Sequence, residues 1–213
     1  MLKSILFMLV LFFFLTTPTR AYEAYRIHTP NYSGYKAETQ IKTKSKPHAD
    51  NELCAYAASV AEQEYAIKPH LLQTISMVES GRWDNKLAKR TAWPWTVHAN
   101  GKGRYYKSKA EAVAAVKAMQ KQGITNIDVG CMQINLKYHG SQFSSVEDAF
   151  DPEKNAAYSA KFLKQLYKRN KADWKKTAMH YHSKNYRKGI NYKNRLEKQY
   201  AEYIRTEATA PLF

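Results

Sequence analysis

Acidic residues are scarce in this chain. Only 18 Asp and Glu stand against 34 Lys and Arg, a formal net charge of +16 at pH 7. Such a surplus draws a protein to polyanions: nucleic acid, anionic lipid or an acidic wall polymer. The basic residues are scattered among tyrosines and alanines and do not gather into a block of five or six. No nucleic-acid motif accompanies them, so a nucleic-acid partner is not expected. Cysteine is rarer still: Cys54 and Cys131 are the only two, with no C-x-x-C between them. That excludes a dithiol redox site and leaves either one disulfide or two buried thiols. Also lacking is an apolar run of roughly 18 residues, the length a membrane-spanning helix needs. Internal repeats and low-complexity blocks are absent too.

The longest apolar stretch, Ile5 to Leu15, follows Lys3 and precedes the small-residue site Thr19-Arg20-Ala21. This is the pattern of a secretory signal, so residues 1–21 are expected to be removed and the protein exported to the periplasm. No integral membrane segment is expected after that cleavage. Export strengthens the disulfide reading for Cys54 and Cys131, and it weighs further against nucleic acid.

Residues 22–50 show no helical or strand period and read as a flexible leader. Asp50 or Asn51 is placed to cap a first helix from about Leu53 to Ala66. Pro69 suits the first turn of a second helix that runs to Glu79, and Gly81 is expected to end it in the left-handed conformation. Beyond it, Trp93 to Ala99 and Arg104 to Lys107 are β-type in composition and flank Asn100-Gly101, a strong hairpin signal. Ser108-Lys109-Ala110-Glu111 forms a capping box that opens a helix ending at Gly123. Residues 124–129 return as a short third strand. Asp151-Pro152 starts a further helix, and two more are expected from about Asp173 to Tyr181 and from about Tyr192 to Ile204. The fold class is therefore α+β and mostly α-helical, with a small antiparallel β element. The folded domain spans 51–204, and 205–213 form a tail.

The helix end at Glu79 carries the chemistry. Leu72, Ile75 and Glu79 fall at i, i+3 and i+7, which sets the carboxyl at the edge of an apolar stripe. Partial desolvation there raises a carboxyl pKa and suits it to proton donation near neutral pH. Three further blocks follow in order: Asp128-Val129-Gly130-Cys131-Met132-Gln133-Ile134-Asn135, Asn155-Ala156-Ala157-Tyr158, and Ala178-Met179-His180-Tyr181-His182. With Val78-Glu79-Ser80-Gly81 they resemble the successive signatures of soluble-lytic-transglycosylase (SLT) domains. That resemblance implies a lysozyme-like fold with its hairpin beside an active-site cleft. It also implies non-hydrolytic cleavage of the MurNAc–GlcNAc β-1,4 bond of peptidoglycan glycan strands, without a metal or organic cofactor. It assigns Glu79 as catalytic acid, Met132 and Gln133 to the groove wall, Tyr181 to the saccharide groove, and Tyr158 to the helix behind it.

Two departures stand out. The stretch from Trp93 to Ile127 is longer than the family's usual link, and His180-Tyr181-His182-Ser183 replaces Ala-Tyr-Asn-x-Gly. Asp128 introduces an alternative, because Asp-x-Gly-x-x-Gln-Ile-Asn is similar to the segment bearing the second carboxylate of animal-type lysozymes. On that reading the protein is a muramidase using Glu79 and Asp128; otherwise Asp128 is a turn residue bonding local amides. The same string is similar to transglycosylases attached to secretion, conjugation or pilus machinery, which raises a third reading, a cell-wall-binding accessory of such an apparatus. Trp93, Trp95, Tyr105 and Tyr106 are candidates either to floor the groove or to pack the hairpin, and packing is expected of the two tryptophans. His180 and His182 have no carboxylate or cysteine at ligand spacing, so no metal site is expected.

Overall fold

A computed structural model describes residues 49–208; the expected signal segment 1–21 and the leader up to residue 48 lie outside the described residues. Helix α1 (Asp50–Glu64) and helix α2 (Leu71–Ser80) come first. Neither Asp50 nor Asn51 serves as the cap. The helix already includes both, and each spends its side chain on a distant partner: Asp50 accepts from the Trp95 indole at 2.9 Å, and the Asn51 amide donates to Asp84 at 3.0 Å. Pro69 lies ahead of α2 rather than inside it. Lys68 to Leu71 form a turn closed by Leu71 N–H to the Lys68 carbonyl, with His70 at φ 60°. This is the type II pattern that proline favours at its second position.

Gly81 does not end α2 in the left-handed region. It is extended (φ −65°, ψ 125°) and runs straight into strand β1 (Gly81–Asp84). Glycine is required there for space, since a Cβ would overlap the Met77 carbonyl oxygen. Strand β1 pairs antiparallel with β2 (Lys89–Ala92) in a hairpin that the polar composition of 81–92 concealed. The second sheet has the order β4-β3-β5-β6, antiparallel throughout. It comprises β3 (Thr96–Ala99), β4 (Lys102–Tyr105), β5 (Ile127–Val129) and β6 (Ile134–Asn135). Asn100 and Gly101, at φ 51° and 73°, make the expected two-residue turn, with Ala99 opposite Lys102, as a type I′ hairpin requires.

Helix α3 (Lys109–Lys121) is capped by Ser108, whose hydroxyl accepts from Glu111 N–H. The Glu111 carboxylate reaches back to Lys107 N–H, one residue beyond a standard capping box. At its other end Gly123 (φ 78°) bonds to the Gln120 carbonyl and Ile124 N–H to the Met119 carbonyl, the paired bonds of a Schellman close. Short helices α4 (Leu136–His139) and α5 (Val146–Ala149) lead to α6 (Pro152–Arg169), capped by Asp151 as expected. Then come α7 (Trp174–His182), capped by Asp173, and α8 (Tyr186–Ala208), which begins earlier than Tyr192.

Two apolar clusters hold these parts together. One joins α1, α2, α6, α7 and α8 through Ala58, Leu72, Ile75, Leu163, Ala178 and Tyr192. The other packs β3 and β5 on α3 through Val97, Val129, Val113, Val116 and Phe150. Cys54 of α1 is disulfide-bonded to Cys131, which ties the first helix to the segment after β5. Among the described residues no helix is long and apolar enough to cross a membrane.

Candidate active site

A cleft of about 490 Å³ runs between the helical part and the sheet. Val78 and Glu79 of α2, Phe162 of α6, Tyr181 and His182 of α7 and Arg195 of α8 line one side. Thr96, His98, Tyr105, Asp128, Gln133 and Asn135 are among those from the sheet side. The position of Glu79 is set by its neighbour. Ser80 is fully buried and its hydroxyl donates to the Cys131 carbonyl at 2.8 Å, so the last turn of α2 is bonded to the disulfide segment.

Glu79 is partly buried, and that burial pushes its pKa up to about 7. The Tyr192 hydroxyl and the Arg195 guanidinium act in the opposite direction, while the Asp128 charge adds a smaller upward push. Tyr192 is wholly buried, and its hydroxyl stands by Glu79 without completing a hydrogen bond of good geometry. Its ring stacks on His182, with centroids 4.5 Å apart and planes 3° from parallel. Tyr181 donates to the Met132 carbonyl at 3.1 Å and lies 3.2 Å from Ser159 Oγ. Burial and the nearby Glu79 charge hold the Tyr181 phenol far above its usual pKa. The glutamate thus sits beside two phenols that remain neutral at any physiological pH.

The segment after β5 forms the opposite wall. Gly130 (φ 80°) and Gln133 (φ 46°) turn the chain sharply, and Asn155 holds the turn from below. The buried Asn155 side chain accepts from Met132 N–H at 2.9 Å and donates to the Val129 and Ala149 carbonyls. A Cβ on Gly130 would come within 2.6 Å of that amide. Gln133 lines the cleft, but both its amide protons go to the Thr96 and Gly130 carbonyls; its oxygen is what remains to offer a ligand. Met132 is placed differently from the expectation. Its side chain is fully buried in the core, so it meets the site only through its backbone.

Asp128 lines the cleft with both oxygens engaged, one accepting from the Asn135 amide at 2.8 Å and the other 3.3 Å from His98 Nδ1. Tyr158 stands one layer back: its hydroxyl is hydrogen-bonded to His139 Nδ1 at 2.7 Å, and His139 lines the cleft. Of the aromatic candidates, Trp93 and Trp95 are buried and bond the Tyr106 carbonyl and Asp50, respectively. Tyr106 packs against the second core, and only Tyr105 opens on the cleft.

Tyr192, Arg195 and His182 were not legible as site residues. Tyr192 and Leu196 look like one apolar face of a last helix, and nothing local shows that this face meets Glu79. Cys54 and Cys131 are joined, as the export reading favoured. The family model described as the transglycosylase SLT domain matches residues 57–204. Searches of curated proteins and of solved structures each returned no significant match. Domains of this kind carry lytic transglycosylase-type activity on peptidoglycan, and the mostly helical architecture with small antiparallel sheets agrees with their lysozyme-like fold. By sequence match over most of its length and by architecture, the chain belongs to the transglycosylase SLT domain family.

Proposed function

We propose that the protein is a periplasmic lytic transglycosylase that cleaves the MurNAc–GlcNAc β-1,4 bond, with Glu79 as both acid and base. The observation that carries this reading is the Glu79 carboxyl itself, partly buried in the cleft and raised to about 7. Protonated Glu79 donates to the glycosidic oxygen as the bond to the anomeric carbon breaks. The resulting carboxylate then takes the proton of the MurNAc 6-hydroxyl, whose oxygen bonds to the anomeric carbon and closes a 1,6-anhydro ring. No water is consumed and the glutamate ends as it began. The substrate's N-acetyl group shares the developing charge, so a second protein carboxylate is dispensable. Gln133 and Tyr105 contact the sugar from the sheet side, and Tyr181 supports the wall beside the acid.

A muramidase reading rests on Asp128, which lines the same cleft. Its engagement with Asn135 and His98 favours a positioning role in the wall. Purified sacculi digested with the protein and weighed by mass spectrometry decide the matter. Ends lighter by one water, the anhydro sugar, support the transglycosylase; hydrated reducing ends alone sink it. In the Asp128→Asn variant, near-full activity removes the two-carboxylate mechanism. A cell-wall-binding accessory of a secretion, conjugation or pilus apparatus predicts instead that Glu79→Gln leaves the cellular phenotype unchanged.

A further inference from the structure

Arg195 is the only lysine or arginine among the described residues that line the cleft. Its guanidinium is exposed, lies 5.4 Å from the Tyr192 ring centroid, and makes no hydrogen bond or contact ion pair with another described side chain. It sits close enough to lower the Glu79 pKa, so it faces the reacting end of the cleft. Gln133, Asn135, Thr96 and Tyr105 suit neutral sugar hydroxyls and acetamides, and His98, His139 and His182 also line the cleft. The cleft also carries the carboxylates of Glu79 and Asp128, which would repel an anionic substrate group. With only a ring contact to Tyr192 and no hydrogen bond or contact ion pair among the described residues, this permanent cation keeps its N–H groups available for an anionic group on the ligand.

Resting on the transglycosylase reading, we propose that Arg195 is a specificity residue that binds a carboxylate carried by the muramyl side group of the strand. In intact peptidoglycan these carboxylates are on the stem peptide. In a strand stripped of its stems the lactyl carboxylate is exposed in its place. A chito-oligosaccharide has the same β-1,4 backbone and neither group. Arg195 thereby separates wall glycan from neutral amino-sugar polymers by charge, while the sugar contacts stay common to both.

The test compares binding in the Glu79→Gln background, where bound strands are not turned over, with and without Arg195→Ala. The probes are a stem-bearing muropeptide tetrasaccharide, its amidase-stripped counterpart and chitotetraose, titrated by calorimetry at low and high salt. Arg195→Ala is expected to weaken the stem-bearing ligand roughly tenfold, the scale of one exposed charge-assisted contact. Chitotetraose is expected to change less than twofold, and the stem-bearing preference to shrink at high salt. Arg195→Lys should recover part of the loss, and the exposed position should leave the melting temperature unchanged. Loss of affinity for the stripped strand identifies the lactyl carboxylate as sufficient; no loss there assigns the contact to the stem. An equal loss on chitotetraose, or no loss on any ligand, overturns the proposal. Failure of the transglycosylase reading shows separately, as hydrated products from the parent protein with the charge preference intact.

Discussion

Glu79 ties stability and activity to one proton. Its folded pKa of about 7 stands above the ordinary 4.5, so the folded state binds the proton more tightly than the unfolded chain. Stability therefore falls as pH rises from about 4.5 to about 7, and the full cost, on the order of 3 kcal/mol, persists above that range. Glu79→Gln is expected to lose about a hundred- to ten-thousand-fold in lytic rate, the usual contribution of a general acid. The same variant should melt several degrees higher than the parent at pH 8, with the difference vanishing near pH 4.5. Paired thermal melts at the two pH values check this. In the parent, kcat/KM should decline as pH rises through about 7, because the donor form is then lost. Tyr192→Phe removes a buried hydroxyl that lacks a proper partner and that holds the Glu79 pKa down. The alkaline limb of the pH–rate profile is expected to move upward, with the His182 stack and the melting temperature retained. A downward move would show that the hydroxyl does not act on Glu79.

At the scale of elements, the turn between β5 and β6 is the part most dependent on a few bonds. Asn155→Ala removes three hydrogen bonds to buried backbone groups, those of Met132, Val129 and Ala149. At about 1 kcal/mol each, with a further penalty for the unpaired groups, the loss is about 3–5 kcal/mol. Urea denaturation should show it as a lower midpoint with an unchanged slope. Much of this level was legible beforehand. Asn100-Gly101, Ser108, Gly123, Asp151 and Asp173 each mark an element end by a local mechanism, and each does so in the structure. The misplacements share one cause. Asp50 and Asn51 were suited to cap α1, yet Trp95 and Asp84 claim their side chains. The β1–β2 hairpin escaped notice because its strands are short and polar, with Arg82, Asp84, Lys89 and Arg90 among eight residues. Pairing with each other and packing on α2 supply what composition does not.

For the whole molecule, the Cys54–Cys131 bridge closes a separation of 77 residues, worth about 4 kcal/mol in the chain-entropy model. Reduction is expected to lower the melting temperature. It should also depress activity before global unfolding, because Ser80, the residue next to Glu79, is hydrogen-bonded to the Cys131 carbonyl. Parallel activity and circular-dichroism curves against temperature, with and without reductant, measure the gap; coincident curves would show that the bridge serves stability alone. The net charge of +16 predicts that turnover of anionic sacculi falls with added salt, through slower association.

By itself the sequence determined the helix ends at Ser108, Gly123, Asp151 and Asp173, the Asn-Gly hairpin, the candidate acid and the family, because each of these is written in residues a few positions apart. Only the tertiary structure decided what surrounds Glu79. Burial raises its pKa, Tyr192 and Arg195 of α8 temper that rise, Asp128 is tied to Asn135 and His98, and Met132 is turned into the core. The contacts that surround Glu79 reach from α2 to α8, more than 100 positions along the chain. They depend on how one helix is rotated against another, and no local pattern encodes that rotation.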